Sequence, residues 1–145
     1  MDLTKGVPRS PYESLGGIVF LPRAIDKARA DLAGSLGEYI SRRGFSKDLV
    51  DFLGLSVEDF TEAVRTRATD ASVWDWVKSQ MTRTPDEIAA WNTRMMTRAP
   101  VTPESKQRYL TGLEKMGQGH RVDLVRQFDR LDLDEGRDVP IGGRK

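Results

Sequence analysis

The sequence predicts an all-α protein: a compact single domain over residues 1–145, with about six or seven short helices and an extended N-terminal arm. Apolar residues recur at spacings of three and four along most of the chain, which is typical of helices with one buried face. Thr84-Pro-Asp-Glu and Thr102-Pro-Glu are helix-start signals. No downstream segment alternates in a way that would pair with Ile18–Leu21 in a sheet.

The arm, residues 1–20, contains prolines and a Gly16–Gly17 pair that rule out a helix. We expect its apolar end to pack onto the helices without a strand partner. Pro22 suits the first helical position of the first helix, because a proline there leaves no hydrogen bond unmade. The inward stripe of that helix is then expected to be Leu21, Ile25, Ala28 and Leu32.

Glycines, prolines and capping residues divide the rest of the chain into further helices. A tail over residues 138–145 is expected to be loose, because it is charged and then rich in glycine. The predicted helices are residues 46–53 capped by Ser46, a helix after Ser56, one from Asp70 to Met81, one after Thr84, one after Thr102, and residues 121–131 with Leu124, Val125, Phe128 and Leu131 inward.

Composition disfavours several classes of function. The 23 basic and 22 acidic residues leave a net charge of +1, and no segment concentrates cations as a nucleic-acid-binding protein normally does. With no cysteine, the chain has no disulfide, thiolate metal site or cysteine nucleophile. The sequence shows neither a signal-peptide pattern nor a membrane-spanning apolar run, so we expect a soluble cytoplasmic protein.

The segment LGGIVFLPRAIDKARADLAG carries the main candidate site. Its charged residues Arg23, Asp26, Lys27 and Arg29 could bind a small anionic ligand at the start of the helix. The same charges could instead form a solvated surface that pairs internally, which is the commoner arrangement on helices. Helical spacing predicts that Arg23 and Lys27 are exposed. It predicts that Arg29 is partly buried and paired with Asp26 or with carbonyls of the arm.

Other chemistry-bearing residues give weaker signals. Trp76 lies off the Val73–Val77 stripe, so we expect it to contact a protein partner. His120 is the only histidine and is interpreted as part of a loop between helices. The acidic run from Asp132 to Glu135 lacks the ligand register of a calcium loop, and Arg137 is expected to pair with it. We therefore predict no metal, no cofactor and no catalytic residue.

Several phrases of the chain resemble one bacterial family, catalogued as domain of unknown function 5069. They are Leu3-Thr4, Arg9-Ser10-Pro11, the long phrase LGGIVFLPRAIDKARADLAGSLGEY, FLGL, TPDEIAAWN and LDLDEGR. The resemblance implies a small, stand-alone bacterial cytosolic domain and supplies no activity, cofactor or catalytic residue. It favours a special role, structural or functional, for Arg23, Asp26, Lys27 and Arg29.

Two functions remain open from the sequence. The first is a non-catalytic helical module that binds a protein partner. The second is a metal-independent enzyme or a binder of a small anionic metabolite, centred on residues 23–29. A deep pocket where Asp26, Arg29 and a tyrosine converge would favour the second, and a filled core with a flat exposed apolar patch near Trp76 would favour the first.

Overall fold

Within residues 1–144, which a computed structural model describes, the chain forms seven helices and one short hairpin. The mostly helical fold predicted from the sequence is confirmed. The described residues group into two compact units, with a boundary between Ala89 and Ala90. The single domain over 1–145 therefore stays a prediction, and Lys145 lies outside the described residues.

The N-terminal arm contains a hairpin that the sequence pattern did not predict. Strand β1, Ser14–Leu15, pairs in antiparallel fashion with β2, Ile18–Val19. The expectation that the apolar run has no strand partner is wrong, because the Gly16–Gly17 turn folds the chain directly back on itself. Gly16 has a φ of +60°, and a Cβ there would lie 2.3 Å from the indole of Trp74. The turn is thereby seated against a tryptophan of the first unit.

The first unit contains four helices: α1 Leu21–Leu32, α2 Gly44–Leu53, α3 Val57–Thr66 and α4 Asp70–Gln80. They surround a common core, in which α1 contacts α3, and α3 also contacts α2 and α4. Buried apolar residues from all four helices fill it, including Ile25, Leu49, Phe60 and Val73. Leu32, expected inward, is 42% exposed because it is the last residue of α1.

Capping residues were predicted with mixed success. Ser56 caps α3 by accepting from the N–H of Asp59 at 3.0 Å, as predicted. Thr69, not Asp70, caps α4 in a reciprocal box with Ser72. Ser46 lies inside the first turn of α2 and is buried, so it is not the cap we expected. Aspartate and serine favour both caps and first turns, so the pattern locates a helix start only to within a residue or two.

The remaining helices are α5 Pro85–Thr97, which contains the boundary between the units, α6 Pro103–Lys115 and α7 Gln127–Asp134. The capping box expected from Thr84 and Glu87 is present, and the helix start predicted at Thr102 carries a box of its own, which Ser105 completes. The second unit buries apolar residues of its own: Trp91, Met95, Tyr109, Leu113, Leu124, Phe128 and Val139. No helix within the described residues is both long enough and apolar enough to cross a bilayer.

Candidate functional site

The predicted site begins at an unusual turn of the backbone. Phe20, which precedes α1, has a φ of +72° and is the only non-glycine residue in the left-handed region among residues 1–144. This conformation costs a residue with a Cβ about 1–2 kcal/mol. Its ring is nearly fully buried and packs 6.0 Å from the ring of Phe45. The strain is therefore held in place by packing, and it fixes where α1 starts.

Asp26 lies on the buried side of α1 and binds Arg9 of the arm. The Arg9 guanidinium donates to the two carboxylate oxygens at 3.1 and 3.0 Å, and the Arg9 backbone N–H donates to Oδ2 at 2.9 Å. The side chain of Asp26 is only 7% exposed. A buried carboxylate with this many donors is fully compensated, so Asp26 anchors the arm to α1.

Asp70, in the first turn of α4, lies on the other side of the same guanidinium. It accepts from Arg9 at 2.5 and 3.2 Å, and the Arg29 guanidinium lies 3.6 Å away. The hydrogen bond from Arg9 is the main reason that the pKa of Asp70 falls below its usual value. The same bond raises the pKa of Arg9. We call Arg9, Asp26, Arg29 and Asp70 the Arg9 network.

Arg29 is half-buried, as expected, but its partners differ from the expectation. It donates to the carbonyl of Ala68 at 3.2 Å and pairs with Asp70, not with Asp26 or the arm. The expected partners belong to α1 and the arm, whereas the structure supplies Ala68 from the loop before α4 and Asp70 from the first turn of α4. Asp26 and Arg29 thus meet only through Arg9 and Asp70.

Arg23 and Lys27 are buried, which contradicts their predicted exposure. Arg23 is 2% exposed and Lys27 is 8% exposed. The Arg23 guanidinium lies 5.9 Å from the Phe20 ring and 5.7 Å from the Tyr39 ring, and the Lys27 Nζ lies 5.5 Å from the Phe20 ring. The exposure predicted from helical spacing is wrong because that prediction assumes that only one face of α1 is covered. The arm and the residues after α1 cover the other face.

Trp76 is half-buried on α4. The Arg67 guanidinium lies 5.7 Å from its indole, and both residues line a hollow of about 190 Å³ with Asp59 and Glu62 of α3. Stacking of an arginine on an indole is stabilising by itself. A partner contact at Trp76 stays a prediction.

The acidic run near the end of α7 behaves as the sequence indicated. Arg137 donates to Asp132 at 3.2 Å and to Glu135 at 2.5 Å, which confirms the expected pairing. His120 is exposed and lies between α6 and α7. Among residues 1–144, no three histidine or carboxylate side chains are grouped so that they could hold a metal ion.

The second unit contains an apolar groove that the sequence analysis missed. It has a volume of about 300 Å³ and is lined by Pro100, Lys106, Tyr109, Leu110, Val122, Leu124 and Val125. Val122 is 72% exposed and Val125 is 60% exposed, so two large apolar side chains stand in solvent at its edge. The buried Tyr109 hydroxyl donates to the carbonyl of Arg126 at 2.8 Å. Burial raises the pKa of that phenol to about 12.

The groove was missed because residues 121–126 were predicted as part of a helix. The structure starts α7 at Gln127, so the predicted helix over 121–131 begins too early and Val125 faces outward. The signal was the alternation of charged and apolar residues in RVDLVR, which fits an extended segment as well as it fits a helix.

The described part of the tail, residues 138–144, makes several contacts with α7. Val139 is 6% exposed, and Arg144 binds Asp132 at 3.0 Å through Nε and Asp129 at 3.2 Å through its backbone N–H. Its glycines, expected to loosen the chain, allow it to turn back toward α7 instead. We call residues 138–144 the C-terminal segment.

Comparison of the chain with known proteins gives one family match. No curated protein is significantly similar to the chain in sequence. A family model described as "Domain of unknown function (DUF5069)" matches residues 5–137 of the 145. The match includes the Arg9 network and the segment that lines the groove, and it confirms the resemblance drawn from the sequence. The chain belongs to the family described as Domain of unknown function (DUF5069).

Proposed function

We propose that this protein is a non-catalytic helical interaction module of the bacterial cytoplasm, and that its groove binds an apolar, acidic segment of a protein partner. The observation that carries the proposal is the exposure of Val122 and Val125 beside a preformed apolar groove. Large apolar side chains exposed together around a concave surface are typical of binding sites.

The charge at the groove supports an acidic partner. Lys106 lines the groove from α6, is exposed, and forms no ion pair with any residue in the described part of the chain. A carboxylate on the partner could pair with this ammonium while apolar side chains enter the groove. Such a pair at the rim contributes more to specificity and association rate than to affinity.

The Arg9 network supports the same choice over a catalytic site in the first unit. Asp26 is buried and accepts from Arg9, and the same guanidinium also binds Asp70. The charges of Asp26 and Arg29 are thus compensated within the protein. Their role is to hold the arm, α1 and α4 together.

Two short helical peptides would test the proposal. Both carry leucines at i, i+3, i+4 and i+7, with glutamates at the remaining positions in one and lysines in the other. We expect the acidic peptide to bind the protein and the basic peptide to bind at least roughly tenfold more weakly. Fluorescence anisotropy of the labelled peptides gives both affinities.

Variants assign the binding to the groove. Val122→Ser should weaken the acidic peptide about tenfold, because a valine contact of about 1.5 kcal/mol is lost. Val101→Ser is the matched control, since Val101 is 83% exposed and does not line the groove. Lys106→Glu should reverse the preference between the two peptides. Equal binding of both peptides to wild type and to all three variants would refute the proposal.

The proximity of Arg23 and Lys27 to one another is the observation behind one second candidate, a binder of small anionic metabolites or an enzyme acting on them, centred on the Arg23–Arg29 helix start. Two cationic side chains lie against the same Phe20 ring at the start of α1, where they raise the local positive potential. Phosphate or citrate would then raise the melting temperature above that in chloride at equal ionic strength, and Arg23→Met would abolish the rise. If wild type and variant respond alike, this candidate is eliminated.

A further inference from the structure

Residues Arg121–Arg126 present two sets of side chains to two different parts of the second unit. Val122, Leu124 and Val125 line the groove. The other three residues, Arg121, Asp123 and Arg126, bind the C-terminal segment. One irregular stretch of backbone therefore forms both a wall of the groove and the support for the segment.

The contacts with the C-terminal segment are direct and run along its length. Arg121 donates to the carbonyls of Val139 and Pro140 at 3.0 and 3.1 Å. Asp123 accepts from the N–H of Gly142 at 2.8 Å. Arg126 donates to the carbonyl of Arg144 at 2.6 Å. Four of the seven residues of the C-terminal segment are thus held by the groove wall.

These contacts matter because the wall has no regular secondary structure of its own. Residues 121–126 lie between α6 and α7, so no complete helical or strand ladder holds their backbone. Arg121 and Asp123 also bind each other through two hydrogen bonds of 3.1 Å, which orients both for the segment. The side chains that bind the C-terminal segment thus alternate along the wall with the apolar side chains that line the groove.

We propose that docking of the C-terminal segment and occupation of the groove are coupled: the docked segment holds residues 121–126 in the conformation that forms the groove. The groove occupant in this inference is the acidic, apolar segment of a partner protein described under the proposed function. The part of the inference that concerns this occupant rests on that proposed function. Coupling through a shared element is reciprocal, so an occupied groove also stabilises the docked segment.

A substitution at Gly142 can weaken docking of the C-terminal segment while leaving the residues that line the groove unchanged. Gly142 has a φ of +86°, and no atom lies within 4 Å of the place that a Cβ would take, so Gly142→Ala strains the docked backbone without a clash. Gly34→Ala is the matched control: Gly34 has a φ of +68°, equally open surroundings, and a place in the first unit. Arg144→Gln is a second way to weaken docking, since it removes the ion pair with Asp132.

The first measurement needs no ligand. Amide hydrogen exchange followed by NMR should be roughly fivefold or more faster at Leu124, whose N–H donates to the carbonyl of Arg121 at 3.2 Å, in Gly142→Ala and Arg144→Gln than in wild type. Gly34→Ala should leave this amide unchanged. Unaltered exchange at Leu124 in both segment variants, with the amides at positions 142 and 144 themselves exchanging faster, would overturn the coupling.

The second measurement uses the acidic leucine peptide. Its affinity should fall roughly fivefold or more in Gly142→Ala and Arg144→Gln but not in Gly34→Ala, and saturating peptide should slow exchange at Gly142 and Arg144 in wild type. If the peptide does not bind wild type, the proposed function fails while the ligand-free result still decides the coupling. If the peptide binds wild type and both segment variants equally, the coupling fails and the proposed function stands.

Discussion

Arg9 and Asp26, 17 positions apart in the chain, are joined by three hydrogen bonds, one from the backbone N–H of Arg9 and two from its guanidinium. A backbone donor and a forked side chain converge on one carboxylate, which fixes both the direction of the arm and the position of the arginine. The geometry explains why an arm with only two short strands lies ordered on α1.

Asp26→Asn should lower the free energy of unfolding by about 2–3 kcal/mol, because a buried carboxylate is removed from a cation that stays in place. Asp51→Asn is the matched control, since the Lys47–Asp51 pair is about half exposed on both sides and such pairs contribute about 0–1 kcal/mol. Urea denaturation of the two variants gives the comparison. A loss for Asp26→Asn no larger than that for Asp51→Asn would show that the network does not stabilise the fold.

Arg23→Ala should cost about 2–4 kcal/mol, because the stem packs in the core and its Nη1 donates to the carbonyl of Arg9 at 3.1 Å. Arg23→Met keeps most of the stem and should recover part of that loss. Arg65→Ala, at a position with a 57% exposed side chain, should change stability by no more than about 0.5 kcal/mol. Equal melting temperatures for Arg23→Ala and Arg65→Ala would contradict the burial of Arg23.

Gly16→Ala and Gly17→Ala test the seating of the hairpin on Trp74. Both glycines have positive φ, +60° and +80°, but only Gly16 has a neighbour where a Cβ would go. Gly16→Ala should therefore be the more destabilising by about 2 kcal/mol, since the indole or the turn must shift. In the Trp74→Leu background the difference between the two variants should shrink, which a double-mutant cycle by urea denaturation measures. A difference that survives in that background would exclude the contact as its cause.

Low pH should release the C-terminal segment through Asp123. The hydrogen bond from Arg121, aided by the N–H of Gly142, lowers the pKa of Asp123 to about 2. The carboxylate favours the docked state, so its contribution is complete above about pH 4 and is lost as the pH falls toward 2. The amide signal of Gly142 should titrate in NMR with that low midpoint, and Asp123→Asn should remove the titration. A midpoint at the ordinary aspartate value would contradict the contact.

The helical fold could be predicted because its signals are local. The threonine–proline starts at Thr84 and Thr102 use residues within three positions of each other, and both form as predicted. The hairpin at Ser14–Val19 could not be predicted, since strands of two residues have no periodicity. Helix α7 began later than expected because contacts of Arg121 and Asp123 with residues far along the chain hold 121–126 in another conformation.

Only part of the candidate site could be predicted from the sequence, because several of its contacts join residues that lie far apart in the chain. Spacing identified Asp26 and Arg29 as flanking a buried stripe, and both are at least partly buried. The decisive partner, Arg9, lies in a segment with no periodicity at all. Burial of Arg23 and Lys27 depends on Phe20 and Tyr39, which cover the side of α1 that a helical wheel assigns to solvent. The spacing of residues within one helix does not predict such contacts with residues outside the helix.

The bond between Arg9 and Asp70 spans 61 positions, and this separation bears on the kinetics of the protein. Closing so long a loop costs entropy, so the contact is expected to form only after α1 and α4 are already in place. A contact absent from the folding transition state affects the rate of unfolding and leaves the rate of refolding nearly unchanged. The Arg9 network would then act mainly on the lifetime of the native state, and so on how long the protein survives a protease that cleaves only the open chain.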